Sequence, residues 1–201
     1  MVSRRFAVLI SFVAAAALCA YASQARAGEE INSLKVGDTA KDYEWETIGG
    51  DKIKLSELAA DGPVVLVVLR GYPGYQCPIC SRQVNELSQH AADFQQLGAK
   101  VALVYPGPAA QLREKAEEFL EGIALPEPLV LVTDPDYSFT NAYGLRWEAP
   151  RETAYPSTFV LDPNRVVKYA KISQSHGDRA KTADVLAAVG PLKKPTAVTG
   201  Q

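Results

Sequence analysis

The chain has 201 residues, with 21 basic against 23 acidic residues and a formal charge of −2. That balance argues against nucleic acid as a partner, because phosphate binding needs a concentrated basic face. With 47% hydrophobic residues the chain can build a sizeable core, and three cysteines are too few for a disulfide-stapled scaffold.

Arg4 and Arg5 precede an apolar stretch from Phe6 to Ala20, and Ala25-Arg26-Ala27 follows. A basic start, an apolar run short for a bilayer span and a small-residue site make the pattern of a secretory signal peptide over residues 1–27, cleaved after Ala27. The expected location is periplasmic or extracellular and soluble, with an uncleaved membrane anchor as the minor alternative. Cys19 as a lipid-attachment site is opposed by the bulky Leu18 before it, and Ser3-Arg4-Arg5 matches twin-arginine export only loosely. Cleavage would move the charge from −2 to −5, since 18 basic residues would then face 23 acidic ones. The remaining length suits one domain, and no later segment is long and apolar enough to span a bilayer.

Residues 28–36 read as a leader. Asp42 to Ile48 and Lys52 to Leu55 are predicted as short strands joined at Gly49-Gly50-Asp51, and Ser56-Glu57-Leu58 as a brief helical turn. Val64 to Leu69 is a run of six apolar β-formers, the mark of a strand buried on both faces in a central parallel sheet. A loop from Gly71 to Gln76 leads into a helix from Pro78 to Leu97, stopped at Gly98. Then come a strand over Lys100 to Tyr105, a helix over Ala109 to Glu121, a strand over Leu129 to Val132 and a short helix over Tyr137 to Tyr143. Thr158 to Leu161 and Val166 to Ile172 read as antiparallel strands turning at Asp162-Pro163-Asn164, and Arg179 to Val189 as the last helix. The whole is one α/β domain with a mixed sheet over residues 35–190, ending in a frayed tail, 191–201.

Cys77-Pro78-Ile79-Cys80 lies between the first buried strand and the long helix, and after cleavage it would hold the only cysteines. A helix N-terminus stabilises a thiolate, the reactive form of cysteine, and a close pair opens and closes a disulfide with little backbone movement. A purely structural bridge would close too short a loop to constrain the unfolded chain much. Copper handling would need a wider cysteine spacing and a matching histidine, and His90 and His176 read as surface residues. No second cysteine pair completes a zinc site, no histidine follows Cys80 for haem attachment, and no cofactor is implied. Asp134 and Asp136 read as a turn and helix cap, and Arg113 to Glu118 as a solvated helix face.

The element order, the Cys-x-x-Cys after the first buried strand and Tyr155-Pro156-Ser157-Thr158-Phe159 before a later strand resemble the thioredoxin fold. Val36-Gly37-Asp38, Leu55-Ser56-Glu57-Leu58, Arg70-Gly71 and Asp134 through Tyr143-Gly144-Leu145 place the chain closest to the redoxin branch, which includes the alkyl hydroperoxide reductase/thiol-specific antioxidant proteins. The resemblance implies a mixed central sheet flanked by helices, with an N-terminal β-hairpin extension. Counted from Pro73, Cys80 stands where peroxiredoxins carry the peroxidatic cysteine, Cys77 replaces their Thr or Ser, and Gln83 replaces a frequent acidic residue. Pro156 stands near the position of an arginine in similar bacterial peroxiredoxins and is placed as thioredoxins place their cis-proline.

Both departures point towards thiol–disulfide exchange, with Cys77 as the exposed attacking thiol and Cys80 as the buried resolving one. Tyr155 and Pro156, with Tyr75 and Pro73, are the expected substrate-binding residues. The expected partners are a disulfide-bearing protein and an external thiol donor, with the oligomeric state left open. The alternative is a thiol peroxidase in which a hydroperoxide oxidises Cys80 or Cys77 to a sulfenic acid, resolved by the other thiol. Arg70 and Arg82 are the candidates for an arginine beside that site.

Overall fold

A computed structural model describes residues 33–193. The signal-peptide reading, Cys19 and residues 194–201 of the tail lie outside them.

The hairpin predicted around Gly49-Gly50 is present as β1 (Glu44–Thr47) and β2 (Lys52–Lys54), antiparallel. Its register sets acidic against basic side chains, and Lys52 Nζ lies 2.7 Å from Glu44 Oε1. Helix α1 (Leu55–Ala60) comes directly after it and turns Leu55 and Leu58 inward. Next come β3 (Val64–Val68), α2 (Pro78–Gln89), α3 (Ala91–Gln96) and β4 (Lys100–Gly107). The second half holds α4 (Leu112–Phe119), β5 (Leu129–Pro135), α5 (Ser138–Ala142), β6 (Ser157–Leu161), β7 (Val167–Ile172) and α6 (Thr182–Val189).

The strands form one sheet in the order β2-β1-β5-β4-β3-β6-β7. β4 runs parallel to β3 and β5, and the remaining pairings are antiparallel. The apolar run of β3 is explained by its place near the middle, where it has no exposed face. Val65, Val67 and Leu69 pack with Val84 and Leu87 of α2, Phe94 of α3, Phe119 of α4 and Val185 of α6. Val64, Leu66 and Val68 join Trp45, Leu55, Phe139 and Tyr143 in a second core. Period-two alternation thus feeds two cores from one strand.

Several boundaries differ from the sequence reading. The predicted helix from Pro78 to Leu97 breaks at His90, whose N–H bonds back to the Leu87 carbonyl at 3.1 Å and whose own carbonyl receives the N–H groups of Asp93 and Phe94. The break redirects the chain so that Ala91 and Phe94 reach the core. β5 runs past Val132 to Pro135 because β4 continues beside it through Pro106 and Gly107. The last helix starts at Thr182 rather than Arg179, since Lys181 is extended (φ −78°, ψ 136°), and residues 173–181 therefore form a loop.

Candidate active site

β3 carries the chain to Arg70, and β4 then fixes the path of the next three residues. Leu69 N donates to the Val104 carbonyl at 2.9 Å and Tyr72 N to the Pro106 carbonyl at 3.1 Å. Gly71 between them has φ +69°, and a Cβ there would overlap the Pro106 carbonyl, so only glycine permits this approach. The far end of the loop is held by Gln76, which donates from Nε2 to the Lys115 carbonyl and accepts from the buried Tyr105 hydroxyl, each at 2.8 Å. Cys77 is then the N-cap of α2 and Pro78 its first residue, where the missing N–H costs nothing. Cys80 lies in the same first turn.

Both cysteines are free thiols built into the core beneath the sheet. The exposed Cys77 implied by the resemblance is corrected: it is 3% exposed and Cys80 1%, because both pack among the apolar residues of β3, β4 and α2. The sulfurs are electrostatically unequal. The Cys80 thiol donates towards Cys77 and, against the opposing effect of burial, lowers the Cys77 pKa from 9 to about 5. The N–H groups of Cys80 and Ile79 and the charge of Arg179 add to this. The same contact, together with burial, pushes Cys80 well above its ordinary value, although Arg179 pulls the other way. The two effects favour the thiolate on Cys77 and keep the proton on Cys80.

Arg179 was not foreseen. Its Nη2 lies 3.5 Å from Cys80 Sγ, its Nη1 donates to Gln83 Oε1 at 2.8 Å, and its Nε donates to the His176 carbonyl at 2.8 Å. An arginine thus stands beside Cys80 after all, supplied by the β7–α6 loop. Arg70 reaches Cys80 only through its backbone N–H, at 3.4 Å. Its guanidinium is turned away and almost wholly buried, bonded to Glu152 Oε2 at 2.8 Å, the Tyr75 hydroxyl at 2.6 Å and the Arg151 carbonyl at 2.5 Å. Arg82 is exposed.

Glu152 ties this network to Arg179, because its carboxylate also lies 3.0 Å from His176 Nε2 in the loop that presents Arg179. His176 sits edge-on to Trp147, which stacks on Tyr155 at 4.8 Å. The other histidine, His90, is half exposed, 2.7 Å from Asp93. Among the described residues the cis peptide is Glu127–Pro128, and Tyr155–Pro156 is trans. The Tyr155 carbonyl accepts from Ser157 Oγ and the Pro156 carbonyl from Ser173 N, so both acceptors are bonded within the domain. Tyr75 is 46% exposed, its hydroxyl on Arg70, and Pro73 lines a cleft beside the loop. Gln83 was the one local clue to Arg179, a polar side chain one helical turn beyond Cys80. Nothing near Glu152 in the sequence marks it as Arg70's partner.

A two-thiol site opening a helix after a central strand, on a mixed sheet of this order, defines a thioredoxin-like redoxin. The fold is shared with a peroxiredoxin-like protein from Aquifex aeolicus, at a TM-score of 0.65 and 19% identity over 79% of this chain and 88% of that one. Peroxidoxin BcpB from Mycobacterium tuberculosis is 25% identical, with a TM-score of 0.62 over 80% of this chain and 99% of that one. The AhpC/TSA family model matches residues 36–170, and the chain belongs to that family. Curated relatives include Peroxiredoxin 2 of Thermoplasma acidophilum, 30% identical over 54% of this chain, and a 1-Cys peroxiredoxin of Medicago truncatula, 28% identical over 51%. The matches span 57% and 43% of those two proteins' lengths, about half.

Proposed function

We propose that this protein is a thiol–disulfide oxidoreductase that cycles Cys77 and Cys80 between dithiol and disulfide. The observation carrying this reading is the placement of the pair, Cys77 at the N-cap of α2 and the buried Cys80 in its first turn, with the electrostatics of the site favouring the thiolate on Cys77. The Cys77 thiolate attacks one sulfur of a substrate disulfide, forming a mixed disulfide and expelling the other sulfur as a thiolate, which takes up a proton. Cys80 then gives up its proton and attacks the Cys77 sulfur, expelling the second substrate thiolate and closing the Cys77–Cys80 disulfide. Two electrons pass to the substrate, and an external dithiol restores the enzyme. Because Cys77 is 3% exposed, the attack requires loop 71–76 to open over it.

Peroxide reduction is the second reading, favoured by Arg179 beside Cys80 and by the family. There a thiolate takes one oxygen of the hydroperoxide, releasing the alcohol, and the other thiol displaces water from the sulfenic acid to close the same disulfide.

The test compares both substrates on the purified protein with dithiothreitol as donor. Catalysed reduction of a protein disulfide, with hydrogen peroxide consumed no faster than by free cysteine, is the expected result. Peroxide consumption far above that control without disulfide reduction overturns the exchange reading. Export is also part of the proposal, on the signal-peptide pattern of residues 1–27. Fractionated cells should hold the protein outside the cytoplasm with an intact mass corresponding to a chain beginning at Gly28, and a chain retaining Met1 found only in the cytoplasm sinks it.

A further inference from the structure

A cleft of about 570 Å³ opens against the loop that leads to Cys77, within the size range of small-molecule sites. One wall is Tyr72 and Pro73, and Leu112 and Tyr137 add apolar surface. Four charged side chains also line it, Lys115, Arg146, Arg151 and Glu152. Two of them are already compensated: Glu152 by Arg70 at 2.8 Å, and Lys115 by Glu118 at 2.5 Å.

The other two have no carboxylate partner among the described residues. Arg146 lies 4.1 Å over the Tyr137 ring, and its Nη1 is spent on the neutral carbonyls of Trp147, Glu152 and Thr153. Arg151 is exposed; its carbonyl receives Arg70, while its side chain makes no ion pair. An apolar cleft with two uncompensated guanidinium groups, on a chain whose net charge is −2, is complementary to a small organic anion.

The cleft also lies within reach of the reacting thiol. Gly74 lines it, and the three residues from there to Cys77 extend over at most about 11 Å. A molecule held by a carboxylate at Arg146 and Arg151 therefore sits against the same loop that covers Cys77, and its sulfur is presented to Cys77 if the loop opens towards the cleft. We propose that the cleft binds the carboxylate-bearing half of a low-molecular-weight organic disulfide and presents it to Cys77. This inference rests on the exchange reading and adds a substrate class to it.

The experiment uses dithiodipropionate, hydroxyethyl disulfide and cystamine, which are anionic, neutral and cationic disulfides of similar size. With dithiothreitol as donor, kcat/KM should be highest for the anion and lowest for the cation, despite the protein's negative charge. In Arg151→Glu, which leaves the backbone contact to Arg70 in place, the anionic-to-neutral ratio should fall about tenfold, the worth of one charge-assisted hydrogen bond. Equal turnover of the three disulfides, or an unchanged ratio in Arg151→Glu, overturns the cleft proposal and leaves the exchange reading standing.

Binding of phenylpropionate, a carboxylate without sulfur, is measured on the same two proteins by calorimetry. If no disulfide of any charge is reduced, the exchange reading fails, and this binding decides the cleft separately. Binding weakened in Arg151→Glu retains the anion site, and no binding to the wild type removes it.

Discussion

Cys77→Ser is expected to abolish disulfide turnover, a loss on the order of 10³-fold or more, because a serine hydroxyl at this helix cap is not ionised and forms no mixed disulfide. Cys80→Ser should behave differently: the first attack proceeds, and the protein accumulates as a substrate adduct visible by mass spectrometry. Turnover retained in Cys77→Ser with loss only in Cys80→Ser would reverse the roles of the two sulfurs. The pH dependence gives an independent check. The first attack needs the Cys77 thiolate, so its rate, followed with the thiolate absorbance, should rise with a midpoint of about 5. Because the folded value lies below the ordinary thiol value of 9, ionised Cys77 stabilises the reduced fold fully above 9, and this contribution is lost as pH falls to about 5. Stabilising the dithiol also makes the disulfide form the readier oxidant.

The second large effect concerns Glu152. Arg70 is 1% exposed on its side chain and Glu152 12%, so removing the carboxylate strands a guanidinium inside the domain. Glu152→Ala should cost about 3 kcal/mol, the lower end for a broken buried pair, because Arg70 keeps the Tyr75 hydroxyl and the Arg151 carbonyl. A shift of the urea midpoint reads this loss, and a shift below about 0.5 kcal/mol would mean that the pair is dispensable. Burial alone would raise the Glu152 pKa, but bonds from Arg70 and His176 outweigh it and hold the group below its ordinary value of 4.5. Its contribution is therefore present above 4.5 and is lost as pH falls through the lower folded value. The variant should lose this part of the acid sensitivity.

Legibility tracked the range over which each feature is encoded. The hairpin, the doubly buried β3 and the helix opening at Pro78 are written in neighbouring residues, and each lies where local patterning put it. The break at His90 was missed because residues on both sides favour helix, and the core's need for Phe94 decides the bend. The active pair was legible through its spacing, but its surroundings were not. Arg179 meets Cys80 across 99 residues and Glu152 meets Arg70 across 82, so no local motif announces either contact. Cys77 was expected at the surface because the thioredoxin resemblance implies an exposed attacking thiol, yet it lies under the loop pinned by Gly71 and Gln76.

Sheet edges carry a consequence for how this molecule meets others. One edge is β2, three residues long, with lysines at both ends, 52 and 54. The other is β7, where Gly37 N bonds the Val167 carbonyl and Val167 N bonds the Asp38 carbonyl, so a preceding segment already occupies its first residues. The rest of β7 carries Lys168 and Lys171. Short length, flanking charge and a covering segment each discourage pairing with a foreign strand. Neighbouring molecules thereby meet a poor backbone template along either border, which works against a valine-rich chain stacking into fibrils.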